Sequence, residues 1–469
     1  MPTNSQSSRP PRAAATRRPA RRRPPSHGPA GPTGPIGEAA AYRLLWRAGM
    51  GPRRGEMSRV ARMTRVQAVR SLTRPRGGAR LTGPQPQDGK GNPLAPYDRY
   101  GHDHLWWLDR MVRTNQPLVE RMTLILHDWF ATSNEKVDNP RQMIAQNELL
   151  RASCLGSFAS LFHAITIDPA MLVWLDGSGS APPAPNENYA REMMELFSLG
   201  ADRGAYTEHD IREQARALTG WTNDYSNEAG NTNFHFNAEN HDVGPETVFG
   251  HAGSFDYQDA IRLCVEHPLH PSFFVTKLWS YFIPLAPSAR KVASLSHIYT
   301  ASRYSIRAVL EAILLDDLFY RGPTLIKPPV VLLAGMLRAV GRGIDTDEWV
   351  GYAEQTGQRL FYPPNVSGWP KRRWLDTSTY KGRWDSAAAV IAPSFADPAR
   401  RHRPQPARVA VQQALASVGS PLLTRATRDY LLSFARATAP QGASSSPMQA
   451  WRHNALRQLI LASPDYQVA

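Results

Sequence analysis

The segment NENYAREMMELFSLG (186–200) carries an unusual load of chemically useful side chains. On a helix, Asn188, Glu192 and Glu195 share one face at i, i+4 and i+7, while Glu187 and Arg191 form the neighbouring stripe. Tyr189, Met193, Leu196 and Phe197 supply the apolar side. Two carboxylates one turn apart on a partly apolar helix could hold a divalent cation or act as acid and base, with Asn188 or Arg191 orienting them or a substrate. The plainer reading is a lattice of ion pairs, Glu187 to Arg191 and Arg191 to Glu195. Taken alone, the segment favours the lattice.

Other residues compete for a role. His241-Asp242 lies in an irregular stretch beside Gly244-Pro245, where polar side chains either carry function or fold an Asx-type turn. His127 follows the apolar run MTLIL and is expected to enter the core, as a hydrogen-bonded core histidine or as a ligand. TEHDIREQARALTGW (207–221) opens on Thr207 with Asp210 three residues on, a helix-capping pattern, and carries Arg216. The stretch 361–384 interleaves Trp369, Trp374 and Trp384 with Lys371, Arg372 and Arg373. Trp369 reads as a core plug, whereas Trp374 is open to stacking on a substrate. His102-Asp103-His104 is ranked low as a metal pair, because residues i and i+2 leave a helix on opposite faces. Glu266-His267 and His270, bounded by prolines, read as a helix junction.

The elements that must position these groups are helices. Helical periodicity runs through 38–49, 57–73, 104–114, 117–133, 139–156, 157–166, 186–200 and 207–221, then resumes from about 256 to 355 and again after 384. FHFN and TVFG suggest a small hairpin near 233–250. The fold class is therefore mainly α, a large multi-helix domain over 38–469, with loops at 176–186, 222–252 and 357–384 as the places for function. No internal repeat or heptad run is found.

Composition narrows the classes. The chain has 469 residues with a formal charge of +15. Seven of its 55 basic residues are arginines within 1–37, where no acid occurs, leaving 48 against 40 in the rest. Residues 1–37 are also rich in Pro, Ser, Ala and Gly, so they are expected to be a disordered basic tail. The arginines lack a following apolar h-region, so no export signal is read there and a cytoplasmic location is expected. The tail and the 371–383 patch could touch nucleic acid, but no recognised module supports it. Two cysteines, Cys154 and Cys264, exclude a disulfide scaffold and a four-cysteine zinc site. No apolar run approaches the length of a membrane span. Nucleotide-binding glycine loops, H-E-x-x-H, G-x-S-x-G and the Glu-x-x-His of di-iron bundles are all absent, so no nucleotide cofactor is expected.

Several blocks together resemble a bacterial family, domain-of-unknown-function family 1800: LLWRAGMGP, MTLILHDWFATSNEKV, NENYARE-x-x-EL-x-x-LG, YTEHDIREQARALTGW, HD-x-GP-x-T-x-x-G and GQRLFYPPNVSGWP, in order, from about residue 40 to 385. The resemblance implies a second, sulfatase-like family as a partner. It also implies a histidine two residues after His127; here Trp129 stands there, and Asp128 is the residue that could replace a lost ligand. The resemblance itself says little about chemistry; the carboxylates and imidazoles of these segments give the expectation of an enzyme of metal-assisted or acid–base type, carrying out hydrolysis or oxidation. Glu192, Glu195, His127 and Asp210 are its catalytic candidates. Asn188, Arg191, Arg216 and Trp374 are the substrate-binding candidates, and His127, Glu192, His241 and Asp242 the ligands of a divalent metal. The alternative is a non-catalytic assembly protein in which the same polar residues form a buried structural network.

Overall fold

The computed structural model describes residues 34–439 and 445–469; all of the basic tail but its last four residues lies outside them. Twenty-three α-helices dominate the described residues, and none is long and apolar enough to cross a membrane. Most start where the side chains dictate. Pro117 occupies the first turn of Pro117–Trp129, Asn139 caps Pro140–Ser153, and Thr207 with Asp210 forms a capping box on Glu208–Ala217. Both cysteines are free and buried.

Three elements depart from expectation. The run 57–73 is two helices, Glu56–Ala61 and Arg65–Thr73, because Thr64 and Gln67 form a capping box that starts a new helix. The segment 186–200 is α-helical only over Glu187–Glu192 and continues as a π-helix over Met193–Ser198, which rotates the later residues relative to an unbroken α-helix. The stretch 357–384 is not all loop, since Asp376 caps a helix over Thr377–Ile391.

The β component is two antiparallel hairpins among the described residues. Strand β1 (Trp221–Ser226) pairs with β2 (Gly230–Phe236), and β3 (Glu246–Val248) pairs with β4 (His251–Gly253). FHFN and TVFG thus fall in different hairpins, because each finds a partner across a shorter loop.

The apolar side chains gather into two clusters. The first takes Leu126, Trp129, Met193, Phe197, Phe274 and Tyr281. The second takes Leu124, Trp107, Trp349, Phe361, Trp369 and Trp374. The Pro117–Trp129 helix contributes to both, so it runs along their seam.

Candidate functional site

One face of that helix borders open space. Arg121, Leu124, Ile125 and Asp128 recur at i, i+3, i+4 and i+7, and all four line one cavity of about 220 Å³ that is open to solvent. Its opposite walls come from Tyr281 and Pro284, from Leu325 and Ile326, and from Lys371 and Trp374. A second, larger cavity of about 510 Å³ adjoins it and shares Asp128, Ser280, Tyr281 and Lys371; Lys277, Leu196, Arg372 and Arg373 help to line it. The two form one cleft, with Asp128, Tyr281 and Lys371 at the junction.

Asp128 is held from three directions. Its Oδ1 accepts a hydrogen bond from the Trp369 N–H at 2.9 Å, and its Oδ2 accepts one from the Tyr281 hydroxyl at 2.9 Å. The Lys371 ammonium lies 3.5 Å from Oδ2 and 3.6 Å from the centre of the Tyr281 ring. The backbone that brings Trp369 there depends on Gly368. Its φ is +83°, and a Cβ would collide with Asp128 Oδ1 and sit 2.7 Å from the Asp128 carbonyl oxygen.

The cations around Asp128 sit in different environments. Burial pushes the Lys277 ammonium down to about 7, against the pull of Asp128 and with the repulsion of Lys371. Its Nζ donates to the Leu196 carbonyl at 2.6 Å and lies 4.7 Å from the centre of the Trp129 ring. Burial also lowers Lys371, with Asp128 opposing, and keeps the Tyr281 hydroxyl protonated far beyond neutrality, with Asp128 adding to the effect. Arg121 is 3% exposed. Its Nε donates to the Arg47 carbonyl at 3.2 Å; among the described residues its Nη1 and Nη2 have no protein partner. Burial lowers it only to about 10, so it stays charged at neutral pH.

The residues expected to share a metal are not brought together. No group of three or more His, Cys, Asp or Glu among the described residues is arranged to hold an ion. His127 is fully buried between Trp107, Phe361 and Trp369, with ring centroids 5.3, 5.8 and 5.6 Å away. Among the described residues neither ring nitrogen has a partner, and burial lowers its pKa to about 3. Its neighbour Asp128, one residue on along the helix, faces the cleft instead. Trp129, in the position of the second histidine of the block, donates its indole N–H to the Phe197 carbonyl inside the first cluster.

The other expected residues build a closed lattice elsewhere. Arg216 makes a two-point pair with Asp242 at 2.8 and 3.2 Å, reaches Glu213 at 3.2 Å and donates to the Pro245 carbonyl at 3.0 Å. Asp242 accepts the Gly244 N–H in an Asx-type turn, and Arg216 holds its carboxyl below the usual range. His241 is tied to Thr219 through Nδ1. Asp210 accepts from Thr207 and from the Phe249 N–H at 2.7 Å, so its carboxylate fastens a helix start to the hairpin region. Arg191 bridges not to Glu187 or Glu195 but to Glu208, at 2.8 and 2.7 Å. Asn188 is exposed. Glu192 is half-buried, and burial, then the charge of Glu195, raises its carboxyl. Neither glutamate lines the cleft. Trp374 does line it, 6% exposed, its indole N–H without a partner among the described residues.

Arg121, Lys277 and Tyr281 were not singled out from the sequence, although each left a mark there. Arg121 and Asp128 punctuate an apolar helix two turns apart, and Lys277 is the lone charge in PSFFVTKLWSY, four residues before Tyr281. Glu246 was also passed over. It is 2% exposed, accepts the Phe255 N–H at 3.1 Å, and is raised to about 7 by burial.

A helical scaffold with a charged, solvent-open cleft at the seam of two apolar clusters is the class that fold and site define. The family model described as "Protein of unknown function (DUF1800)" matches residues 43–468. The chain belongs to that family. No curated protein and no solved structure matches it.

Proposed function

We propose that the protein is an acid–base hydrolase of small organic molecules whose reaction takes place in the Asp128 cleft. The observation that carries this reading is geometric: two lysines, Lys277 and Lys371, line one open cleft together with the hydrogen-bonded Asp128–Tyr281 pair, and burial lowers Lys277 to about 7. Lys277 is part free amine at neutral pH, and its lone pair takes a proton from an attacking water. Lys371 supplies positive charge to the oxygen that becomes negative as water adds, and the proton taken by Lys277 passes to the departing alcohol or amine as its bond to the acyl carbon breaks. Asp128, with both oxygens already accepting, is a positioning residue that fixes Tyr281 and the 368–371 turn. The metal-assisted branch has less support, because no three of its expected ligands are grouped among the described residues.

The test is a screen of esters and amides of small organic acids with the full chain, read by mass spectrometry. Turnover is expected to rise with pH through a limb near 7, to persist after chelation, and to fall about a hundredfold or more in Lys277→Met. Turnover that chelation abolishes, or that Lys277→Met leaves intact, overturns the proposal.

A further inference from the structure

Three charged residues line the smaller cavity: Arg121, Asp128 and Lys371. Two positive groups therefore face one carboxylate, and that carboxylate is already hydrogen-bonded by Tyr281 and Trp369. Arg121 has no carboxylate within ion-pair distance among the described residues; its one hydrogen bond goes to a neutral carbonyl. A guanidinium withdrawn from water needs an anion and further acceptors to offset its desolvation. Among the described residues the protein supplies one carbonyl and the more distant charge of Asp128 but no directly paired anion, and Arg121 borders a cavity.

The rest of the wall sets the remainder of the ligand. Leu124, Ile125, Pro284, Leu325, Ile326 and Pro328 give it a mostly apolar surface, and Trp374 adds an aromatic one. An inorganic anion would leave that surface unused. A cavity of ~150 Å³ accommodates benzene, so the 220 Å³ here suits an acid of roughly six to ten heavy atoms.

We propose that Arg121 is the anion-binding residue of a monocarboxylate site, seating the carboxylate of a short aliphatic or aromatic acid whose apolar body lies along Ile125 and Ile326. This rests on the cleft being the reaction site, and it assigns the substrate class: esters or amides that keep one free carboxylate. Arg121 offers two N–H groups to the carboxylate in the fork arrangement that suits it, and Lys371 closes the site from the solvent side. Net charge in the cavity falls from one positive to zero when the acid binds.

The experiment is calorimetric titration of the full chain with hexanoate, alongside hexanol and hexylamine as neutral and cationic analogues and inorganic phosphate as an anion without an apolar body. Hexanoate is expected to bind and to raise the melting temperature, with each of the other three at least about tenfold weaker. Arg121→Gln is expected to weaken hexanoate about tenfold or more. Because Arg121 is buried, the exposed Lys371→Met serves as a second variant and is expected to weaken hexanoate several-fold, with the salt dependence reduced. Equal binding of hexanoate and hexanol, phosphate as strong as hexanoate, or hexanoate binding unchanged in folded Arg121→Gln and in Lys371→Met overturns the proposal. Absence of hexanoate binding at millimolar concentration does so too. Lys277→Met separates the two readings. It is expected to keep hexanoate affinity while losing turnover. Binding without any turnover leaves the carboxylate site standing and removes the hydrolase, whereas turnover confined to uncharged substrates does the reverse.

Discussion

Arg216 and Arg121 each sit near an aspartate, and the molecule completes them differently. Arg216 is paired twice with Asp242 and also reaches Glu213 and a carbonyl, so all three of its nitrogens are engaged within the protein. Arg121 is more deeply buried and makes one bond, to Arg47. The first arrangement ties the 241–248 loop to the Glu208–Ala217 helix. The second keeps charge in reserve beside a cavity. What separates a structural lattice from a candidate site is thus not the density of charged residues, which is high around Arg216, but whether their hydrogen-bonding capacity is already used.

Substitutions at the two sites test that contrast. The largest effect is expected at Gly368, where alanine meets both a left-handed backbone and the Asp128 carboxylate. Gly368→Ala is expected to cost about 3 kcal/mol in urea unfolding and to abolish hexanoate binding. If it kept both, the tight seating of the 368–371 turn on Asp128 would be wrong.

A smaller effect comes from acid. Burial lowers His127 to about 3 from an ordinary 6.5. Below pH 6.5 the unfolded chain takes up a proton that the folded chain refuses, so stability is lost as pH falls from about 6.5 toward 3. His104 and His270, lowered to about 3 and about 4 by burial, act in the same direction. Asp109 and Asp168, raised to about 6 by burial, act oppositely, since their protonated forms are favoured on folding. His127→Phe is therefore best compared with the wild type at each pH. Its advantage is expected to grow on the order of 2 kcal/mol between pH 7.5 and pH 5. An advantage that stays constant with pH would contradict a neutral, unpartnered imidazole.

Arg216→Leu comes next, at about 1–2 kcal/mol of lost stability, with hexanoate affinity unchanged. A loss of affinity there would erase the distinction between lattice and cleft. At the small end, Asn188→Ala is expected to change unfolding by no more than about 0.5 kcal/mol and turnover not at all, since the side chain is exposed.

Much of the fold was legible from periodicity and caps, because Pro117, Asn139, Thr207 and their kind act within one turn of themselves. The break at Thr64 was legible too, in T-x-x-Q, but the apolar pattern ran through it. The π-turn was not, since it serves contacts made at long range. The carbonyls of Leu196, Phe197 and Ser198 are taken by Lys277, Trp129 and His270 from two other helices. The candidate site divides in the same way. Trp374 and the 357–384 stretch were read as candidate places for function, and both contribute side chains to the cleft walls. The Glu192 helix drew attention by its density of charge, yet contributes Leu196 to the cleft and none of its carboxylates. Arg121, Asp128, Lys277 and Tyr281 come together only when two helices distant in sequence pack against one turn, and a pattern within one segment cannot show that.

The central claim is that chemistry belongs to the cleft and not to the Glu192 face. It is tested most directly by measuring turnover of one carboxylate-bearing ester, prepared in parallel with wild type, Lys277→Met and Glu192→Gln. Loss in Lys277→Met with a near-normal rate in Glu192→Gln is the predicted result. A normal rate in Lys277→Met together with loss in a folded Glu192→Gln would contradict it and return the reaction to the helix that the sequence first brought forward.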